Sequence, residues 1–190
     1  MRKLITAMKI SADGKFEGPE GYADWVAGWS DDYGLTPQID ACVLGGRMYS
    51  GYEPYWTAIQ DQTRQDGFVA TPGEVEWARF ARQVPHYVVS RTLTSAAWPQ
   101  TRFLRGLDEV GALKQERGQD IYLMGGGTLV TAAIDAGLVD EVRLIVYPLI
   151  AGAGNTLFAS STVRRELALR KAEQLPDGRL SLVYAVASPR

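Results

Sequence analysis

Three short segments of this 190-residue chain carry residue types and spacings suited to holding a large anion. Met124, Gly125, Gly126, Gly127, Thr128 and Leu129 follow the apolar run Ile121-Tyr122-Leu123. They read as a buried strand that ends in glycines which then open a helix. A helix start offers unpaired N–H groups and a partial positive charge. Glycine there lets a phosphate reach the backbone with no Cβ in the way. Gly45, Gly46, Arg47 and Met48 repeat the arrangement after Ala41-Cys42-Val43-Leu44 and add a guanidinium. Ser90, Arg91 and Thr92 end a third apolar run with two hydroxyls flanking a guanidinium, a set that suits a phosphate monoester. Each segment alone also reads as a tight turn or a solvated loop. Ligands of open α/β sheets lie at the carboxyl ends of strands, and the three together fit a dinucleotide with an extra 2′-phosphate, NADPH. Neither glycine site has Gly-x-Gly-x-x-Gly spacing, and the chain has no Gly-Lys-Ser/Thr for a P-loop.

The totals narrow the chemistry. Hydrophobic residues make up 46% and charged residues 22%, close to globular averages. A formal charge of −2 offers no basic field for nucleic acid. No apolar run approaches the roughly 20 residues a membrane span needs, and Lys9 and Asp13 interrupt the N-terminal stretch before it can serve as a signal. The reading is a cytoplasmic protein. A single cysteine (Cys42) and a single histidine (His86) leave no disulfide within the chain and no Cys/His zinc site. His86 opens an apolar run, where a packed or capping role is expected rather than catalysis.

Apolar runs alternating with helical patterns predict an α/β fold, one domain over residues 1–190. Strands are expected at Lys3–Ile10, Ile39–Leu44, His86–Ser90, Asp120–Met124, Glu141–Pro148, Glu166–Gln174 and Leu180–Ala187. Helices are expected at Asp24–Tyr33, Met48–Gln60, Pro72–Arg82, Leu107–Gln115 and Thr128–Ala136. Thr71, Pro72 and Glu74 form a capping-box start. Leu175-Pro176-Asp177-Gly178-Arg179 is a hairpin turn, so the mostly parallel sheet should carry an antiparallel C-terminal hairpin. Gly152 and Gly154 shape a loop rather than a phosphate site.

These segments, in order over nearly the whole chain, resemble the dihydrofolate reductase superfamily. They are most similar to the C-terminal reductase domain of the bifunctional riboflavin-biosynthesis deaminase/reductase. The specific part is Ala136-Gly137-Leu138-Val139-Asp140-Glu141 followed by Pro148-x-x-x-Gly152-x-Gly154. The resemblance implies a three-layer fold with helices on both faces of the sheet, NADPH across the strand ends (NADH also possible), and a homodimer. It implies pyrophosphate binding at the two glycine-opened helices and adenosine-phosphate binding at the Ser90 loop. It departs at Gly46, where the family usually carries an arginine, so Arg47 or Arg91 would have to supply that charge. The deaminase half is absent, since nothing matches its zinc motif.

Folate-reducing members of the superfamily place a carboxylate after the first strand to protonate the substrate, and Asp31 and Asp32 lie in about that region. They read equally as solvated charges at a helix end. Lys9, polar within an apolar first strand, is a second proton-donor candidate, with an edge lysine as the alternative. Without a convincing match for the folate carboxylate, folate reduction is not expected. Trp25, Tyr52 and Trp56 are candidates to sandwich a planar substrate, against simple packing. The expected function is NADPH-dependent hydride transfer to a small heterocyclic or carbonyl substrate, pyrimidine- or pterin-like. The alternatives are a dinucleotide- or flavin-binding protein without turnover, or a dimeric module that uses the C-terminal hairpin.

Overall fold

The computed structural model describes residues 1–63 and 67–187. Its first strand, β1 (Leu4–Ser11), sends Leu4 into one apolar cluster and Ile5 and Ala7 into another. That alternation follows from the two-residue period of a strand, and β3 and β6 repeat it. Elements follow as β2 (Lys15–Glu17), β3 (Ile39–Gly45), α1 (Gly46–Gln60), α2 (Pro72–Ala81), β4 (His86–Val89) and β5 (Thr101–Leu104). Then come α3 (Leu107–Leu113), β6 (Asp120–Leu123), α4 (Gly127–Asp135), β7 (Glu141–Tyr147), β8 (Asn155–Thr156), β9 (Leu167–Gln174) and β10 (Leu180–Val186).

Eight strands form one sheet in the order β5-β4-β3-β6-β1-β7-β10-β9. Pairing is parallel from β5 to β7 and antiparallel where β10 joins β7 and β9. Tyr49, Tyr52 and Trp56 of α1 and Trp77 of α2 cover one face. Val110 and Leu113 of α3 and Val130 and Ile134 of α4 cover the other. The expected fold class holds: a mostly parallel sheet between two helical layers, with an antiparallel C-terminal hairpin. A buried tryptophan such as Trp77, 1% exposed, anchors its layer by about 3–5 kcal/mol relative to alanine.

Three features depart from the sequence reading. Asp24–Tyr33 is not a helix but a run of turns. Trp25, Trp29 and Tyr33 imitate a helical stripe, yet tertiary ties hold the segment open. Trp29 lies 4.5 Å from Trp77, ring to ring, and Arg143 donates to the Tyr33 carbonyl. Strand β5 was not expected, being four residues at the sheet edge with only two apolar side chains. The ribbon β2–β8 was not expected either, because its pairing joins residues far apart in the chain.

Candidate functional site

Helices α1 and α4 start where neighbouring parallel strands β3 and β6 stop. Their N-caps are Gly45 and Gly126, and neither start has a side-chain cap. Helix α2 differs: Thr71 Oγ1 accepts from the Glu74 N–H while the Glu74 carboxylate accepts from the Thr71 N–H. Beside the unclosed starts lies a cleft of about 400 Å³, lined by Arg47 of α1, Gly127, Thr128 and Thr131 of α4, and Phe16 and Asn155 of the ribbon, while Gly45 and Gly46 do not line it. A Cβ at Gly126 would meet nothing within 4 Å, so that mouth is open. A Cβ at Gly127 would lie 2.8 Å from the Phe16 ring. The ribbon is therefore seated directly over the first turn of α4.

Gly46 has its own reason. A Cβ there would fall 2.7 Å from Ser90 Oγ, so a longer side chain would displace the loop after β4. Ser90 Oγ accepts from the Thr92 and Leu93 N–H groups at 3.3 and 3.1 Å, which fixes that loop beside α1. Gly46 thus goes with a close approach of Ser90, and Arg47 is the residue of this turn that lines the cleft. Arg91 and Thr92 are exposed on the same loop. Met48 is 37% exposed. Leu129 lies 3.9 Å from where a Gly45 Cβ would be. Met124 does not line this cleft. Its side chain is 6% exposed within the α1-side core, and its N–H is given to the Val43 carbonyl. Glycine starts, uncapped N–H groups and Arg47 make a donor set that fits the diphosphate of a dinucleotide.

A second cleft, about 640 Å³, is lined by Trp25, Trp29, Ser30, Tyr147, Asp177 and Arg179 among others. At its side lies a chain of charges. Lys9 Nζ donates to Ser30 Oγ at 2.7 Å and sits 3.2 Å from Asp32 Oδ2. Ser30 Oγ donates to Asp32 Oδ2 at 2.8 Å, and Arg179 Nη1 donates to the same oxygen at 2.9 Å. The Arg179 guanidinium also stands 5.4 Å from the Tyr147 ring centroid. Burial lowers the Lys9 pKa below its ordinary value, with Asp32 opposing the shift. Burial works against the Asp32 charge, but Ser30 and Lys9 outweigh it and hold that carboxylate below its usual range. Arg143 steadies this segment from β7 by donating to the Tyr33 carbonyl at 2.7 Å and to Gln38 at 3.0 Å.

The two clefts are separated by little chain. Phe16 and Glu17 line the first, and a Cβ at Gly18 would lie 3.9 Å from Trp25 of the second. Asp13 ties the loops after β1 and β7, accepting from Ser11 Oγ and from the Ala151 and Gly152 N–H groups. Those donors, Ser11 foremost, hold its pKa down at about 2. A third depression, about 420 Å³, lies between α1 and α2 near Ile59, Phe68 and Val75, at the end of α1 remote from the strand ends.

Several candidate residues turn out otherwise. Lys9, Asp32 and Trp25 come together at the second cleft. Asp31 does not join them, because its carboxylate accepts from the Leu35 and Thr36 N–H groups at 3.0 and 2.9 Å and closes a turn. Tyr52 and Trp56 are core residues, 7% and 4% exposed. The Tyr52 hydroxyl is consumed by a buried relay: Trp77 Nε1 donates to it, it donates to His86 Nε2, and His86 Nδ1 donates to the Val84 carbonyl. The one face they share on α1 is the face packed on the sheet. Arg179, Tyr147 and Ser30 escaped sequence reasoning. The hairpin turn locates Arg179 but carries no sign that it returns to residue 32.

The RibD C-terminal domain family matches residues 2–180, and the chain belongs to that family. Protein YyaP of Bacillus subtilis (strain 168) is 31% identical over 188 residues, covering 96% of this chain and 94% of that protein. Among solved structures, a protein from Shewanella sp. PV-4 named for riboflavin biosynthesis superposes with a TM-score of 0.71 at 17% identity, over 97% of this chain and 99% of its own. The diaminohydroxyphosphoribosylaminopyrimidine deaminase/5-amino-6-(5-phosphoribosylamino)uracil reductase of Thermotoga maritima superposes with a TM-score of 0.66 at 14% identity, over 98% of this chain and 57% of that one. Among the described residues, no helix is long and apolar enough to cross a membrane.

Proposed function

We propose that this chain is an NADPH-dependent reductase that transfers hydride to a small heterocyclic or carbonyl compound. The observation that carries the reading is the uncapped glycine start of α4, which opens onto one cleft with Arg47 from the uncapped start of α1 on the adjacent parallel strand. Membership in a family whose bifunctional relatives bear a reductase name supports it.

The amides of α1 and α4 and the Arg47 guanidinium hold the diphosphate, and the Ser90-Arg91-Thr92 loop meets the adenosine phosphate. When bound, NADPH supplies the hydride. Reduction of a C=O or C=N bond also needs one proton, and Lys9 Nζ delivers it from beside the second cleft. Ser30 and Asp32 orient that ammonium, and Arg179 keeps Asp32 ionised so that Lys9 is not the only cation on it. Trp25, Trp29 and Tyr147 wall the substrate and limit water.

Titration of the intact chain with NADPH tests this directly. Tryptophan emission should be quenched with energy transfer to the nicotinamide near equal stoichiometry, and loss of nicotinamide absorbance should follow addition of an acceptor. Binding of a flavin at the glycine mouths instead of NADPH overturns the reading, as does binding of neither.

A further inference from the structure

The second cleft gives a sharper statement about what it admits. It rests on taking that cleft as the substrate site. We infer that its substrate is a planar ring compound that carries no phosphate.

Two observations lead there. First, its walls include the rings of Trp25, Trp29 and Tyr147 with Pro148 and Leu149, surfaces that reward stacking of a flat molecule. Second, the positive groups at the cleft are already matched. Arg179 lines the cleft but is bonded to Asp32, and Asp177 brings a second carboxylate to the lining. Lys9 is likewise bound to Ser30 and Asp32. Thr71 and Gly73 bring the start of α2 into the lining, but Glu74 occupies that N-terminus. Among the described residues, a phosphate dianion entering here would be desolvated with no unpaired cation and no open helix start to receive it.

The test uses matched pairs that differ only in the phosphate. Riboflavin and FMN make one pair, and a ribosylaminopyrimidine with its 5′-phosphate makes another. Each is titrated by calorimetry into the intact chain saturated with NADH or NADPH. At least one unphosphorylated member should bind, at least tenfold more tightly than its partner, and its affinity should change less than twofold between low and moderate salt. Asp32→Asn frees Arg179, and should raise the affinity of the phosphorylated member relative to its partner about fivefold. Equal or tighter binding of the phosphorylated members to the parent chain, or binding of no member of either pair, overturns the inference. NADPH affinity, titrated separately into the chain free of ligand, reports on the reductase reading, so the two can fail independently.

Discussion

Each of the two clefts has the start of a helix in its wall, and the two starts are finished in opposite ways. At α4 the cap is Gly126 with no side chain on it, so the amides and their partial charge face the cleft. At α2 the same groups are taken by Thr71 and Glu74. An identical piece of backbone is thus left open in one place and electrically closed in the other. On the function proposed above, the contrast also divides labour. One cleft would recognise its ligand chiefly through main-chain groups that every sequence possesses. The other would rely on rings and on an ordered set of opposite charges. Main-chain recognition depends on what is left out, side-chain recognition on what is put in.

The largest test of this division is Lys9→Met. It should lower turnover about 10²–10⁴-fold, the usual value of a placed proton donor, while NADPH affinity in stopped-flow titration moves less than twofold. Lys9 acts in its protonated form, and burial lowers its pKa. Turnover should therefore fall as pH rises through that lowered value, and a profile flat on the alkaline side would remove Lys9 from the role. Next comes His86, which serves neither cleft. Burial depresses its pKa from 6.5 to about 4. Between those values the unfolded chain binds the extra proton, so stability is complete above 6.5 and is lost as pH falls toward 4. At about 1.36 kcal/mol per unit, the loss should reach about 3 kcal/mol in urea titrations at pH 4. His86→Gln should flatten that dependence without favouring either ligand.

A carboxylate placed at the open mouth sharpens the comparison further. Thr128→Asp should weaken NADPH about thirtyfold, about 2 kcal/mol, by apposing charges in a partly dry site. The same change should leave thermal stability unchanged or raise it by about 0.3–1 kcal/mol, since acids suit a helix start. Unchanged NADPH affinity in the folded variant would mean that the mouth does not face the ligand. The smallest effects separate the two arginines. Arg91→Ala should weaken NADPH about fivefold, about 1 kcal/mol, and NADH less than twofold. Arg47→Ala should weaken both about equally, and the reverse pattern in isothermal titration would exchange the roles.

The helix side of the first cleft (Arg47, Gly127 and Thr128) could be read from the chain because a strand, its glycines and the following helix are consecutive, whereas the ribbon side with Phe16 and Asn155 could not. Gly45–Met48 and Gly125–Leu129 each carry their own geometry. The second cleft could not be read in that way. Arg179 meets Asp32 across 147 residues, through a hairpin whose turn predicts a reversal but not a destination. Asp31 and Asp32 are adjacent and alike, yet a turn takes one carboxylate for amides and leaves the other for Lys9. Tyr52 and Trp56 show the limit of helical spacing, since four residues apart marks a shared face without saying whether sheet or ligand covers it. The expected helix over Asp24–Tyr33 fails for the same reason: periodic aromatics fit a helix and an extended aromatic contact equally well.

Glu74 reaches beyond the helix it closes. Its carboxylate, 3% exposed with its residue, also accepts from Tyr55 Oη at 2.8 Å and from the backbone of Trp29. Burial opposes its charge, but those donors with Thr71 keep it ionised below the ordinary carboxylate range. One acid therefore fastens the aromatic loop to two helices at once. The gap between Trp29 and the sheet is set by a bond that no substrate would ever touch, and drift at position 74 over evolutionary time would retune which rings fit while leaving every lining residue as it stands.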